Sequence, residues 1–460
     1  MILAQGKIYE TESQNEILEG LPEILSETLQ NQTLDREVVI AAFDALSKKV
    51  KNGELNELLG TVELDGLQEY VEMAAKMMSR EYLEYKISME LGENRDREPQ
   101  GKCRTGEDIA GEDRHARSSF GRITTKRVPL GVLFHIAAGN MDALPIVSVA
   151  EGLLAGNINI LKLPRVDKGL TVLVMKMLVD FEPKLKDFVY IFDTPSSDVI
   201  AMKKMADMSD GIVVWGGDEA IKAVRAMSKP GTRLIEWGHK LGFCYVSGYE
   251  QEEKELTDLA EHIMQTKQLL CSSCQVIYID TEDSNEIKEF SQKFLSYLEK
   301  AAVKYPITEI GASAELTLRR YVAKLERALE TNEAASRVDG IAAGVTTATP
   351  TEEVVYQGKH TSVTAKFDSK LELSYMYGNC IVKPLLHKNL AKVLRESKEY
   401  LQTAGLICEK SLRKEITDII LKTGVERVTY SKSMSNYFDG EAHDGEYPLL
   451  RYTRIVNVEI

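Results

Sequence analysis

Residues 127–165, RVPLGVLFHIAAGNMDALPIVSVAEGLLAGNINILKLPR, contain an apolar strand, a helix and a second apolar strand in immediate succession. LGVLFHIAA (130–138) and INILKL (158–163) are short continuous apolar runs of the kind that form buried strands. DALPIVSVAEGLLAG (142–156), which joins them, has the length and composition of a helix. A strand, a helix and a strand at this spacing predict a parallel sheet with a right-handed crossover.

The same alternation continues along the chain. Further predicted strands are FVYIFD (188–193), GIVVW (211–215), TRLIEW (232–237), FCYVSG (243–248) and QVIYID (275–280). A helix is predicted over 253–268, and long helices are predicted up to about residue 331. This pattern predicts an α/β fold, which we expect to contain two doubly wound parallel sheets.

The two ends of the chain have different patterns. Residues 12–95 are rich in Leu, Glu, Lys and Met at helical spacing and predict several packed helices. The polar stretch 96–125 is predicted to be a loop, and the last residues, RIVNVEI (454–460), resemble a strand.

Bulk composition excludes several classes of protein. The net charge of −14 over 460 residues argues against general nucleic-acid binding, which needs a cationic face. No apolar segment reaches the length of a membrane span, and MILAQGKIYETESQ (1–14) lacks the pattern of a signal peptide. We therefore expect a cytoplasmic protein with reduced thiols. The cysteines are scattered: Cys103, Cys244, Cys271, Cys274, Cys380 and Cys408.

QLLCSSC (268–274) is the segment with the clearest chemical potential. It places Cys271 in a turn of small hydroxyl residues just before a strand, where a thiol has access to a carbonyl and to backbone donors for an oxyanion. Cys271 and Cys274 also form a C-x-x-C, which leaves a zinc half-site or a redox pair as alternatives. A zinc site would need further ligands, and the sequence has no second C-x-x-C.

Four segments in this order resemble the aldehyde dehydrogenase superfamily: RVPLGVLFHIAAGN (127–140), GNINILKLPR (156–165), IEWGHK (235–240) and QLLCSSC (268–274). They are most similar to its acyl-CoA reductase branch, typified by the LuxC-type fatty-acid reductase of bacterial bioluminescence. The similarity covers roughly residues 120–290, and GEAHDGEYPLLRYTR (440–454) also resembles that branch.

The resemblance implies a role for three catalytic candidates. Cys271 matches the nucleophile that accepts the acyl group, and Asn140 matches the side-chain amide that helps to hold the oxyanion. Glu236 stands where the family usually has the glutamate of E-L-G-G-K, and it would serve thiol deprotonation or thiol release. Trp237 and His239 depart from that motif, so a solvated or ion-paired carboxylate without a catalytic role remains open at position 236.

The resemblance also supplies the cofactor site. The chain has neither G-x-G-x-x-G after a first strand nor a phosphate-binding P-loop motif. Lys162 matches the lysine that reaches the adenosine ribose, and Arg165 stands where NAD-preferring relatives often carry a glutamate. Because an arginine pairs with a 2′-phosphate, we expect NADPH rather than NADH. Gly216 and Gly217 lie where the backbone can approach a pyrophosphate. The alternative for Lys162 and Arg165 is that they are solvated charges at the end of a strand without a cofactor role.

These matches predict a division of the chain by function. We expect residues 1–120 to be the N-terminal helical part of the cofactor domain and 121–238 its dinucleotide-binding core. We expect residues 239–430 to carry the catalytic cysteine and 431–460 to return to the cofactor and oligomerisation region.

The predicted activity is NADPH-dependent reduction of an acyl thioester, such as an acyl-CoA, to an aldehyde. An aldehyde dehydrogenase that forms a carboxylic acid and an inactive scaffold with the same fold remain alternatives. The resemblance implies a homodimer or homotetramer, allows an acyl-transferring protein partner and implies no metal. His443 stays unassigned between a general base and a loop histidine, and His135 is predicted to be a hydrogen-bonded residue of the core or of a pocket.

Overall fold

The computed structural model describes residues 1–55, 72, 74–92, 117–118, 121–139, 144–167, 169–308, 311, 314, 318, 321–322, 353–436 and 439–459. The strands are β1 (Ile2–Ala4), β2 (Lys7–Tyr9), β3 (Arg117–Ser118), β4 (Gly121–Pro129), β5 (Val132–Ile136), β6 (Ile158–Lys162), β7 (Val189–Phe192), β8 (Gly211–Trp215), β9 (Arg233–Trp237), β10 (Leu241–Ser247), β11 (Cys274–Ile279), β12 (Glu353–Gln357), β13 (Ser362–Lys366), β14 (Asn379–Pro384), β15 (Leu401–Cys408), β16 (Arg427–Tyr430) and β17 (Thr453–Glu459). The helices are α1 (Gln14–Asn31), α2 (Arg36–Lys51), α3 (Arg80–Leu91), α4 (Leu144–Leu154), α5 (Leu170–Phe181), α6 (Val199–Asp207), α7 (Asp218–Met227), α8 (Glu252–Thr266), α9 (Ser284–Lys304), α10 (Leu390–Leu394), α11 (Arg413–Ile420) and α12 (Pro448–Arg451).

The chain forms two compact units, one from residues 1–238 and 438–460 and the other from residues 239–437. The first unit contains a sheet with the strand order β2-β1-β7-β6-β5-β8-β9. Strands β5 to β9 pair in parallel, whereas β1 pairs antiparallel with β2 and β7. The chain runs from β5 through β6 to β7 on one side and then returns to β8 and β9 on the other. The direction of winding therefore reverses between β5 and β8, which is where α/β sheets commonly bind ligands.

The central strands of this first sheet are buried on both faces. Every residue of β5, β6, β7 and β8 is buried, so these strands are covered on both faces, and they lack the alternation of apolar and polar residues seen in half-exposed strands. Helices α1 to α6 contribute buried Leu, Val, Ile, Met and Phe side chains to the same core. The strands predicted at 130–138, 158–163, 188–193 and 211–215 are therefore confirmed as elements of one parallel sheet.

The second unit contains a sheet with the order β12-β13-β14-β11-β10-β15-β16, which is parallel except for β12. Alternate residues of β10 enter different cores: Phe243 and Tyr245 pack on one face, and Cys244 and Val246 pack on the other. Both faces of this sheet are therefore covered, and the predicted α/β class with two parallel sheets is confirmed. The four-part division by function stays a prediction.

A separate sheet with the order β17-β4-β3 belongs to the first unit. Strand β17 pairs antiparallel with β4 from Thr453 opposite Pro129 to Glu459 opposite Ile123. The strand predicted at the C-terminus is confirmed, but the loop predicted over 96–125 is wrong at 117–118 and 121–125. The prediction was wrong because the segment was assigned as a loop from its polar residues. An antiparallel ribbon can carry polar residues that face solvent, as the exposed Lys126 of β4 does.

Within the described ranges, no helix is both long and apolar enough to cross a membrane.

His135 in β5 is a fully buried histidine with both ring nitrogens hydrogen-bonded. Nδ1 lies 2.7 Å from Ser148 Oγ, and Nε2 lies 3.0 Å from Asn159 Oδ1. Because the Asn159 amide nitrogen donates to backbone carbonyls, its oxygen accepts from the imidazole Nε2–H. A Cβ at Gly152 would lie 1.8 Å from that oxygen, so only glycine fits beside the pair. The prediction of a hydrogen-bonded core histidine is confirmed.

Burial of His135 predicts a pH dependence of stability. Desolvation lowers the pKa of His135 from 6.5 to about 4, so the unfolded chain binds a proton between these values that the folded chain does not. The free energy of unfolding of the first unit should therefore fall as the pH decreases from 6.5 to 4, by up to about 3 kcal/mol. Urea unfolding followed by tryptophan fluorescence measures this, because both tryptophans, Trp215 and Trp237, lie in the first unit.

The matched variants for this experiment are His135→Gln and His387→Gln. The first removes the buried imidazole and should flatten the pH dependence over this window. The second removes a half-exposed histidine of the other unit and should leave the tryptophan-detected slope unchanged. An unchanged slope in His135→Gln would contradict the assignment.

Candidate active site

Predicted cofactor residues and the predicted catalytic Glu236 lie near the carboxyl ends of parallel strands, at one edge of the first sheet. Lys162 is the last residue of β6, Gly216 follows β8, and Glu236 lies one residue before the end of β9. Carboxyl edges near a reversal of winding are the usual position for nucleotides in such sheets.

Lys162 is a buried cation at this edge. Its ammonium group donates to Ser196 Oγ at 2.9 Å. Burial lowers the pKa of Lys162, and the negative charge of Asp193 partly offsets this decrease. Arg165 lies three residues further along the chain and is exposed. One cation is thus fixed in place, and the other is accessible to a ligand in solvent.

Gly216 and Gly217 connect β8 to helix α7. The Gly216 N–H donates to Trp237 O at 3.1 Å, and Gly217 is the N-cap residue of α7. A Cβ at Gly217 would meet nothing within 4 Å, so there is open space at this helix start. Asp218 and Glu219 in the first turn add negative charge, so attraction for a phosphate there would come from the backbone.

Glu236 is ion-paired with Arg225 of helix α7. The guanidinium Nε and one terminal nitrogen each lie 2.6 Å from a different carboxylate oxygen, which is a bidentate arrangement. The carboxylate raises the pKa of Arg225. The structure therefore shows the ion pair that the sequence left open.

His443 packs against two tryptophans at the ends of β8 and β9. Its ring centroid lies 4.9 Å from that of Trp215 and 5.0 Å from that of Trp237, both edge-on. The Trp215 indole N–H donates to Ser148 Oγ at 3.1 Å. The same hydroxyl hydrogen-bonds His135, so the tryptophan cluster and the buried histidine share Ser148 as a partner. His443 Nε2 lies 3.7 Å from a carboxylate oxygen of Asp444.

Cys271 lies in a tight turn of the second unit, between α8 and β11. The Ser273 N–H donates to Leu270 O at 2.9 Å, and the Leu270 N–H donates to Ser273 Oγ at 3.1 Å. The Ser272 hydroxyl forms a 2.8 Å hydrogen bond with the Ser435 hydroxyl. Cys271 occupies the middle of this closed turn and is partly exposed.

The environments of the two C-x-x-C cysteines differ. Cys274 is buried at the start of β11, and burial raises the pKa of its thiol to about 12. Its N–H donates to Nε2 of His262 at 3.3 Å, and burial lowers the pKa of His262 to about 4, so the ring is a neutral acceptor. Cys244, Cys380 and Cys408 are also buried. Access therefore distinguishes Cys271 from the other described cysteines.

Two residues named from the sequence, Asn140 and Cys103, lie outside the described residues. In contrast, the structure adds partners that no sequence pattern indicated: Ser196 for Lys162, Arg225 for Glu236 and His262 at the start of β11. Each of these partners is brought in by the fold from another element. Only a folded structure could identify them.

Comparison with known structures shows the fold. Betaine aldehyde dehydrogenase from Staphylococcus aureus in complex with NAD+ superposes with a TM-score of 0.65 at 14% identity, over 97% of this chain and 87% of that one. Lactaldehyde dehydrogenase from Escherichia coli gives 0.62 at 14% identity, over 98% and 92%. The chain therefore has an aldehyde dehydrogenase-like fold.

Sequence comparison finds more specific relatives. The long-chain acyl-protein thioester reductase of Vibrio harveyi is 22% identical over 343 residues, which is 74% of this chain and 66% of the relative. The enzyme of that name from Aliivibrio fischeri is 24% identical over 340 residues, which is 73% and 65%. These matches span slightly less than two thirds of the length of each relative.

A family model described as acyl-CoA reductase (LuxC) matches residues 37–455, which is most of the chain. This match extends well beyond the segments 120–290 and 440–454 on which the resemblance rested. The chain belongs to the acyl-CoA reductase (LuxC) family.

Proposed function

We propose that this protein reduces an acyl thioester to an aldehyde with NADPH, through an acyl group held on Cys271. The observation that carries the proposal is the family match over residues 37–455. The relatives are named long-chain acyl-protein thioester reductases, so the acyl donor is either a protein-bound thioester or an acyl-CoA. An acyl-transferring protein is the corresponding partner, and we infer a homodimer or homotetramer as the assembly.

Cys271 performs the first step. Its thiolate attacks the carbonyl carbon of the donor, the bond to the donor sulfur breaks, and the donor leaves as a thiolate that takes up a proton. The acyl group is then a thioester of Cys271. The partly exposed position in a closed turn supports this role, because an attacking thiol needs access and a fixed direction. Asn140 keeps its proposed role as a donor to the oxyanion.

NADPH, when bound, supplies the hydride that reduces the acyl carbonyl. Collapse of the resulting tetrahedral species breaks the bond to the Cys271 sulfur, and the aldehyde leaves as the thiolate is restored. Glu236 is proposed to accept or return the proton at a thiol. Its bidentate ion pair with Arg225 supports this role by holding the carboxylate in a fixed position near the end of β9.

The residues at the carboxyl edge of the first sheet fit a dinucleotide. Lys162 would bind the adenosine ribose, Arg165 the 2′-phosphate, and Gly216 and Gly217 would let the backbone approach the pyrophosphate. The open space beside Gly217 and the exposure of Arg165 support this assignment. The alternative, in which these are only solvated charges, suits Lys162 poorly because it is buried.

Purified protein mixed with NADPH and a series of acyl-CoAs from short to long chain tests the proposal. Acyl-dependent loss of NADPH absorbance with formation of aldehyde would support it, and the preferred chain length would show the size of the acyl pocket. No turnover with acyl-CoAs or acyl-protein thioesters, together with NADP reduction by aldehydes without coenzyme A, would favour an oxidative aldehyde dehydrogenase. No reaction in either direction, with unselective thiol labelling, would favour an inactive scaffold.

A further inference from the structure

The turn that carries Cys271 is attached to the rest of the second unit through two buried glutamines. Gln268 lies three residues before Cys271 and is 1% exposed, and Gln275 lies four residues after it and is 3% exposed. A buried amide that hydrogen-bonds fully fixes the groups around it, because breaking it leaves polar atoms unsatisfied.

The side chain of Gln268 joins the two ends of the turn. Its amide nitrogen donates to Cys274 O at 3.0 Å, and its amide oxygen accepts from the Gly378 N–H at 3.2 Å. These partners determine which end of the amide is oxygen, since a carbonyl only accepts and an N–H only donates. Gln268 therefore connects the start of β11 to the segment before β14.

The side chain of Gln275 completes the connection from the other end of the turn. Its amide nitrogen donates to Gln268 O at 2.8 Å. Its amide oxygen accepts from the Ser374 hydroxyl at 2.6 Å and from the Ser374 N–H at 3.3 Å. We call Gln268, Gln275, Ser374 and Gly378 the glutamine network. It fixes the separation of residues 268 and 274, and Cys271 lies midway between them.

Backbone strain is concentrated at the same place. Lys267 and Gln268 have φ values of 51° and 60°, and Met376 and Tyr377 have φ values of 56° and 48°. These two strained pairs contact each other, since the Tyr377 N–H donates to Lys267 O at 3.0 Å. Left-handed conformations at non-glycine residues cost about 1–3 kcal/mol each and persist only where surrounding contacts impose them, which often occurs at functional sites.

We propose that Gln268 and Gln275 are positioning residues that hold the Cys271 turn in the geometry needed for acyl transfer. This inference rests on the proposed function, because it gives the network a role only if Cys271 is the nucleophile. Neither glutamine needs to touch substrate. Both act through the backbone that carries Cys271.

The test compares Gln268→Met, Gln275→Met and Ser374→Ala with the wild type and Cys271→Ala, below the melting temperature of each. In Gln268→Met and Gln275→Met, kcat for acyl-dependent NADPH oxidation should fall about 100-fold, since a shift of about 1 Å at a reacting atom has this effect. KM for NADPH should stay within about twofold, because the proposed cofactor residues belong to the first unit and the glutamine network to the second. Ser374→Ala removes one hydrogen-bonding group with little change in volume, and it should lower kcat about fivefold.

Gln14→Met is the matched control. Gln14 is also a buried glutamine with two side-chain hydrogen bonds, to Asp198 and Thr194, but it lies in the first unit. This variant should lower the melting temperature without lowering kcat. The alkylation rate of Cys271 by iodoacetamide should change less than about threefold in every variant that retains the cysteine, because this small reagent needs no alignment with an acyl carbonyl.

The outcomes separate the two proposals. The positioning role alone would be overturned if the wild type were active and Gln268→Met, Gln275→Met and Ser374→Ala all kept a kcat within about twofold of the wild-type value. The same would hold if Gln14→Met lost as much activity as Gln268→Met. A wild type without acyl-dependent turnover would instead overturn the proposed function, and the positioning role with it.

Discussion

Cys271→Ala is expected to lower acyl-dependent NADPH oxidation by at least about 10³-fold, because removal of a covalent nucleophile removes the route that the other residues serve. The alanine replaces a partly exposed side chain in a turn closed by backbone and serine hydrogen bonds, so the fold should be retained. Activity is measured with NADPH and the preferred acyl donor. Acyl-enzyme is trapped separately with a radiolabelled acyl-CoA and should be absent from the variant.

Cys380→Ala is the control for this experiment. Cys380 is a buried thiol in β14, and burial raises its pKa, so it is poorly suited to attack a carbonyl. This variant should retain most of the activity and the full acyl label. If Cys271→Ala still formed a stoichiometric acyl-enzyme, the nucleophile would be another residue and the proposed mechanism would be wrong.

The central sheets of both units were predictable because their strands are buried on both faces. VYIF in β7 and GIVVW in β8 are continuous apolar runs, and such runs need no knowledge of their neighbours to be recognised. Strand β4 was not predictable from the same criterion. It is polar, and it becomes a strand through seven paired positions with β17, more than 300 residues away along the chain.

In the candidate site, too, some features are predictable from local sequence and others depend on distant parts of the chain. Cys271 and Lys162 are candidates because local segments of the sequence resemble a known family. Gln268 and Gln275 belong to QLLCSSCQ, yet no local pattern indicates that their amides are joined to Ser374 and Gly378. A partner almost 100 residues distant is supplied by the pairing of β11 with β14, which brings the segment before β14 beside the turn. Sequence resemblance thus proposes candidate reactive groups, whereas the fold shows which residues hold them in place.

Arg165→Glu is expected to change the nucleotide preference. Arg165 is exposed beyond the carboxyl end of β6, and its proposed ligand is the 2′-phosphate that distinguishes NADPH from NADH. The substitution removes a charge-assisted hydrogen bond and adds a repelling carboxylate, so kcat/KM with NADPH should fall about 100- to 1,000-fold. A carboxylate can accept hydrogen bonds from a ribose 2′-hydroxyl, so kcat/KM with NADH should change less than about threefold.

Lys7→Glu separates this local effect from a change in overall charge. Lys7 is an exposed residue of β2 in the same unit, and its substitution changes the net charge by the same two units. If long-range electrostatics alone governed NADPH binding, both variants would lose activity with NADPH to a similar extent, and both losses would fade with added salt. A direct contact predicts that only Arg165→Glu loses activity with NADPH. Equal losses with NADPH and NADH in Arg165→Glu would show that Arg165 does not read the 2′-phosphate, and would return the cofactor preference to an open question.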